Sequence, residues 1–297
     1  MKNKIKVSPS ERIFNIFNII LMLVMMIIMF YPMWHVLCAS FSNAKMLSSH
    51  TGVLLIPEGF STTAYKLMMK NPMIIKGYAN TFFILFFGLV VNMFMTCLAA
   101  YVLSRRNLMF KKPLTIIIVF TMYFSGGLIP TYLNIMGLGL EDSLWAVILP
   151  GAISTYNMIV MRTGFASVPV SLEEAAKIDG ASSFRVMWQI ILPLSKATVA
   201  VVCLYYAVSH WNAWFNAMLY LTDRNKFPLQ LILREILIQN DTSSMVTAMD
   251  VGAGDSSFVS ETVKYAVIIV SVVPILCVYP FIQKYFTKGV MVGAVKG

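Results

Sequence analysis

Charge is what this chain lacks most. Only 12% of its 297 residues are Asp, Glu, Lys or Arg, about half the share of an ordinary soluble domain. Histidine occurs three times, at His35, His50 and His210, too scattered to suggest a metal site. Four cysteines, Cys38, Cys97, Cys203 and Cys277, form no CxxC pair. They read as small apolar packing residues, with no disulfide framework or zinc site implied. No GxxxxGK[ST] run occurs, so the chain has no phosphate loop for ATP. An intramembrane enzyme would need a nucleophile with a base, or a metal cluster, and neither constellation stands out.

Apolar residues fill the space that charge leaves. They make up 58% of the chain, and the mean hydropathy is +0.75. Six stretches, near 13–37, 79–103, 113–138, 143–165, 197–221 and 263–285, reach the roughly 20 residues a helix needs to cross a bilayer. The expectation is an all-α polytopic membrane protein with six transmembrane helices. Tyr31-Pro32-Met33-Trp34 offers no small-residue cleavage site, so the first stretch reads as a span and not a signal peptide. The span interiors carry no Asp, Glu or Lys, which argues against proton or sodium coupling. A voltage sensor or a carbonyl filter sequence is also absent.

The sparse charge is unevenly placed. Fifteen of the 23 basic residues, from Lys2 through Arg105, Arg106, Lys111, Lys112 and Arg185 to Lys296, fall on one side of the spans. Only Glu11, Glu173, Glu174 and Asp179 oppose them there. By the positive-inside rule that side is cytoplasmic, and both termini with it. The net charge of +10 therefore reports topology and implies no nucleic-acid partner.

One membrane domain, 1–297, accounts for the chain, with core spans at about 79–285 and a tail at 286–297. Long external loops are expected at 39–78 and 222–262, the second opening with an amphipathic run, Phe227 to Gln239. Gly126-Gly127 with Pro130, Pro150-Gly151, and Pro274 with Pro280 mark helix interruptions. Unwound backbone is tolerated at membrane depth where protein buries it or it lines a watery cavity.

Between the fourth and fifth spans lies SLEEAAKIDGASSFRVMWQIILP, residues 171–193. Ser171 with Glu174 has the spacing of a capping box. Ala175 and Ala176 keep the helix thin, so a partner's backbone can approach. Asp179-Gly180 turns the chain, because Gly takes left-handed dihedrals without steric cost. A second helix starts near Ser182, carries Phe184, Met187, Trp188 and Ile191 at helical spacing, and stops at Pro193. Capping and partner contact are compatible roles for Glu174.

Glu174-Ala-Ala, Gly180 and Ile190-x-Leu-Pro193 together resemble the EAA loop of membrane permease subunits in bacterial ABC importers. Tyr78-Ala-Asn-Thr81, Gly126-Gly-Leu-Ile-Pro-Thr-Tyr132, Leu138-Gly-Leu140, Leu149-Pro150, Trp211-Asn212 and the closing Gln283–Gly297 extend the likeness over nearly the whole chain. The chain resembles carbohydrate-uptake permeases of the type I, maltose-like family, nearest the branch for oligosaccharides from complex polysaccharides. That resemblance implies a heterodimer with a second permease subunit, two ATPase subunits binding ATP and Mg, and an extracellular solute-binding lipoprotein. This chain would bind no cofactor and catalyse no reaction itself. It implies that Glu173, Glu174, Ala175, Ala176, Asp179 and Gly180 couple to the ATPase. It also implies that Gly293, Ala294 and Lys296 of the tail insert between ATPase subunits; composition by itself reads as a disordered terminus. A non-sugar solute, or an ion-coupled secondary transporter, are the alternatives.

Tyr156, Asn157, Trp211, Asn212 and Asn216 are candidates for the substrate pathway, since aromatics and amides suit sugar stacking and hydrogen bonding. The same residues also serve as interface anchors or packing near a membrane surface.

Overall fold

The computed structural model describes residues 8–105, 108–238 and 256–289, with the side chains of 238, 256–260 and 281–289 left aside. The described secondary structure is helical throughout. In chain order the helices are α1 (Pro9–Ser40), α2 (Ala44–Ser49), α3 (Thr63–Lys70), α4 (Pro72–Ser104), α5 (Lys111–Tyr123), α6 (Leu128–Gly137), α7 (Leu144–Ile148) and α8 (Thr155–Ala166). Then come α9 (Val170–Ile178), α10 (Ser183–Val186), α11 (Leu192–Leu194), α12 (Lys196–Trp211), α13 (Phe215–Tyr220), α14 (Leu229–Ile238) and α15 (Ser256–Gly289).

Three helices, α1, α4 and the Glu261–Pro280 part of α15, are long and apolar enough to cross a membrane. Three bent pairs bring the number to six if each is one span: α5 with α6 at 107°, α7 with α8 at 52°, and Ser183–Leu194 with α12 at 89°.

One compact unit holds α1–α3 and α15 up to Val272. Ser8 accepts from the Glu11 amide and Pro9 sits in the first turn, so α1 opens on a capped, pre-set end. Every residue from Ser8 to Phe30 is exposed, and from Ile13 on nearly all are apolar, the state of a helix that belongs in lipid. Packing begins only beyond that stretch. Trp34 Nε1 donates to Leu55 O at 2.9 Å, and the Leu54 amide donates to the Tyr31 hydroxyl at 3.2 Å. Cys38, Ala39 and Leu54 form a small core beneath the segment between α2 and α3.

The other unit is built on α4. Ile74, Gly77, Thr81, Ile84, Gly88, Asn92, Thr96, Ala100 and Ser104 recur every three or four residues and are buried as one stripe. Small side chains in that stripe let α8, α12 and α14 come close. At Gly88 a Cβ would stand 2.5 Å from His210 Nε2; at Gly77 it would stand 2.6 Å from Ile232 Cδ1. Below them, Ala100, Leu103, Met158, Met161, Phe165, Val186, Met187, Ile191 and Val202 make the apolar core.

The interruptions at Gly126-Gly127 and Pro150-Gly151 are present. The chain is extended after α5, and Gly127 at φ +87° starts α6. A 3₁₀ turn, Leu149–Gly151, separates α7 from α8. The expectation for the sixth span is overturned: α15 runs through Pro274 and Pro280. Each proline removes one backbone donor, and helix neighbours in a membrane re-satisfy the freed carbonyl. The expected fifth span instead breaks at Asn212–Trp214, where Asn212 Nδ2 donates back to Val208 O at 3.0 Å and closes α12. The amphipathic run after Phe227 is α14, with Leu229, Leu231, Ile232, Leu233 and Ile236 buried.

Candidate functional site

The segment 170–194 forms a two-armed hairpin. Its first arm, α9, starts at Val170 after Pro169, which makes no side-chain cap. Ser171 lies exposed inside the first turn, so the expected Ser171–Glu174 capping box is not formed. Pro169, at φ −57° and ψ 133°, delivers the chain extended and moves the helix start two residues earlier. At the other end Gly180 has φ +78°, Gly180 N–H donates to Lys177 O, and Ala181 N–H donates to Ala176 O at 2.9 Å. That double closure is the Schellman arrangement and turns the chain into the second arm.

The second arm opens at Ser182, whose hydroxyl accepts from the Arg185 amide at 3.3 Å. Residues Met187–Ile191 widen into a π turn between α10 and α11, with Leu192 N–H donating to Met187 O. The wider turn absorbs Pro193, and the arm ends at Leu194, one residue past the expected stop. Val186, Met187 and Ile191 are fully buried, whereas Phe184 and Trp188 stand open with their rings 6.0 Å apart.

The two arms are held by different physics. On α9 the one buried residue is Glu173, at 5% exposure. Its carboxylate takes Lys177 Nζ at 2.9 Å, the Tyr101 hydroxyl at 3.3 Å, and the Arg105 guanidinium as an ion pair. Arg105 in turn donates to Phe165 O at 3.3 Å and Ser104 Oγ at 2.9 Å, and lies 4.9 Å above the Tyr101 ring. Lys111 closes the group on Arg105 O at 2.8 Å. Burial pushes the Glu173 carboxyl up, but bonds from Lys177 and Arg105 outweigh it and hold the group below the ordinary glutamate value. A cavity of about 670 Å³ lies alongside, lined in part by Tyr101, Arg105, Lys111, Glu173, Glu174 and Lys177. Glu174, Ala175, Asp179 and Gly180 face outward, Ala176 is half-buried, and Ile178 is 86% exposed.

A second polar cluster serves the break between α7 and α8. Asn92 Nδ2 donates to Gly151 O at 2.6 Å and Ala152 O at 3.0 Å, while its Oδ1 meets His210 Nε2 at 2.6 Å. Ser154 N–H donates to the Tyr206 hydroxyl at 2.8 Å, and Thr96 Oγ1 lies 2.8 Å from the same oxygen. Backbone groups freed by the break are thus paired with α4 and α12 side chains. Proline and glycine mark the break in the sequence; nothing there singles out Asn92, Thr96 or Tyr206 as its partners.

At the opposite end of this unit, Asp142 accepts from the Thr222 and Asp223 amides, each at 3.0 Å, and from Lys226. The Lys226 bond, then the two amide bonds, hold its carboxyl far below the usual range. Asn80 donates to Asn225 O and Phe227 O, and Thr81 Oγ1 accepts from the Leu229 amide at 2.9 Å. The Tyr78–Thr81 motif therefore fastens the chain entering α14.

The pathway candidates separate into two groups. Asn157 and Trp211 are buried, the latter against Tyr78 and Phe82. Tyr156, Asn212 and Asn216 are exposed, and the Tyr156 ring lies 6.2 Å from that of Tyr205. Gly293, Ala294 and Lys296 lie outside the described residues.

Broken membrane spans around a central small-residue helix, with a two-armed hairpin projecting between two of them, define a permease of the binding-protein-dependent kind. The family model described as "binding-protein-dependent transport system inner membrane component" matches residues 107–292. The chain belongs to that family, as a multi-pass permease subunit of an ABC importer in a cell membrane. It is 45% identical to the polygalacturonan/rhamnogalacturonan transport system permease protein YtcP of Bacillus subtilis (strain 168), over 90% of this chain and 92% of that protein. It is 40% identical to Protein LplC of the same organism, over 90% and 89% of the two chains. A crystal structure of a bacterial ABC transporter involved in the import of the acidic polysaccharide alginate contains a chain with a TM-score of 0.86 and 32% identity. That alignment covers 95% of this chain and all of the other.

Proposed function

We propose that this chain is one half of a heterodimeric sugar permease that passes oligosaccharides from complex polysaccharides into the cytoplasm. An extracellular solute-binding lipoprotein delivers the sugar, and two separate ATPase subunits, binding ATP and Mg, drive the cycle. Both termini and the hairpin face the cytoplasm, in keeping with the Lys and Arg bias. The outward face of the hairpin, Glu174, Ala175, Asp179, Gly180 and Ile178, carries the reading, because it is free of this chain's own core and docks on the ATPase. Glu174 pairs there with a basic residue of the partner. Relatives and a solved neighbour named for acidic polysaccharides support uronic-acid-containing oligosaccharides as the cargo.

Tyr156, Tyr205, Asn212 and Asn216 face the translocation path, and the tail at Gly293, Ala294 and Lys296 reaches between the ATPase subunits. The test is co-purification and uptake. The chain, expressed with its partners, should bring down an ATPase and a second permease and take up oligogalacturonides on ATP addition. Recovery of the chain alone as a functional homodimer would reject the reading. Glu174→Lys should lose the ATPase from the purified complex.

A further inference from the structure

The first arm of the hairpin has one fully buried side chain, the charged Glu173, beside the small half-buried Ala176. The second arm sinks three apolar side chains into the core. The first arm is also remote from α12 along the chain, being joined to it through the glycine turn, the second arm and an 89° bend. Along the chain a push on α9 reaches α12 only through that turn and bend, and reaches α8 only through the three-residue link 167–169. It does have a short route through space, because the guanidinium that holds Glu173 belongs to the residue directly after α4. The same guanidinium reaches Phe165 O at the end of α8, and Lys111 at the start of α5 bonds its carbonyl.

We infer that Glu173 is a positioning residue which, through Arg105, ties the first arm of the hairpin to α4, so that movement of the arm is carried directly to the span on which α8, α12 and α14 pack. The two adjacent glutamates divide the work. Glu174 looks outward; Glu173 looks inward and makes the arm part of α4. Lys177 and the Tyr101 hydroxyl fix the rotamer of the carboxylate, and the Tyr101 ring beneath Arg105 fixes the guanidinium. A buried carboxylate with donors on both oxygens is a stiff joint, since loss of Arg105 removes the partner of Oε2 and loss of Glu173 removes the carboxylate that Arg105 faces.

The inference rests on the reading that an ATPase docks on the hairpin, and its test separates the two. Nitroxides at Ser171 on α9 and Phe86 on α4, both exposed, in a background lacking the native cysteines, report the arm-to-span distance in the assembled complex. In the wild type the distribution should stay narrow and unmoved between nucleotide-free and ATP–vanadate states. Glu173→Gln and Arg105→Gln should broaden it, and transport per ATP should fall severalfold while Glu174 still holds the ATPase. The exchanged pair, Arg105→Glu with Glu173→Arg, should restore both readouts in part. A wild-type distance that shifts with nucleotide overturns the inference. So does a Glu173→Gln distribution as narrow as wild type, or a loss in the single variants that the exchange leaves unrepaired. Failure of Glu174→Lys to release the ATPase would instead strike the docking reading alone.

Discussion

The Asn92 amide reaches Gly151 O at 2.6 Å, and with that bond α4 replaces the hydrogen bond that the α7–α8 break removes. Asn92 is fully buried, so its two donors and its acceptor are all committed, to Gly151, Ala152 and His210. Asn92→Leu removes the donor to two part-buried carbonyls and the partner of His210 Nε2, and a polar group left buried and unpaired costs about 1–3 kcal/mol. The expected outcome is a clear drop in melting temperature of the detergent-solubilised protein. A melting temperature equal to the wild type's would mean that the break does not depend on α4.

Gly88 sits where the same cluster crosses α12. A Cβ there would lie 2.5–2.9 Å from three atoms of the His210 ring. Gly88→Ala should therefore displace His210 and cost about 1–3 kcal/mol, the usual penalty for overfilling a packed site. Gly137→Ala, where the added carbon meets nothing within 4 Å, is the matched control. Thermal unfolding of the two variants side by side decides the point.

The hairpin should loosen in acid. Glu173 has its folded pKa below its ordinary value of 4.5, for the reasons of pairing given above. A carboxyl of that kind contributes its stabilisation fully above the unfolded pKa and loses it as pH falls through the folded one. The protection of the α9 amides, measured against their intrinsic exchange rates at each pH, should thus be constant near neutrality and decline as the medium drops below that value. Glu173→Gln should abolish this extra acid response. An unchanged response in the variant would place its origin elsewhere.

Asp142 should govern protease access to the chain after α13. Asp142→Ala removes acceptors for the Thr222 and Asp223 amides and the partner of Lys226. Asp142→Asn keeps an oxygen for the amides but removes the charge and the side-chain acceptor for Lys226. Trypsin cleavage at Arg224 and Lys226 should accelerate strongly in the alanine variant and mildly in the asparagine one. Equal rates in all three proteins would show that the turn stands without Asp142.

Single cysteines should divide the pathway candidates. Those at Tyr156, Asn212 and Asn216 should react with a small polar maleimide, and those at Asn157 and Trp211 should be protected. Labelling of Trp211→Cys at the rate of Asn216→Cys would refute this division.

Much of this was legible because membranes simplify the problem. Apolar runs long enough to span are hard to mistake, and Gly126-Gly127 and Pro150-Gly151 announce their breaks by backbone chemistry alone. Gly180 likewise requires its left-handed turn, and the φ of +78° bears that out. What could not be read were contacts distant in the sequence. Asn92 and Gly151 are 59 residues apart, and Arg105 and Glu173 are 68 apart. Local rules also misled where neighbours decide the outcome. Ser171 and Glu174 have capping-box spacing, yet Pro169 starts the helix first; Pro274 and Pro280 look like breakers, yet α15 continues through both.

The bare stretch of α1 has a consequence in length. From Ile13 to Phe30 every residue of the helix is exposed, and 18 residues at 1.5 Å each make about 27 Å, close to the hydrocarbon thickness of a bilayer. From Tyr31 onward the helix is clothed by Leu54, Leu55 and Tyr265. The stretch is therefore a gauge, and its order of side chains is almost free while its length is not. Lengthening it by one turn would raise the whole clothed end by about 5 Å above the lipid, or force the helix to lean.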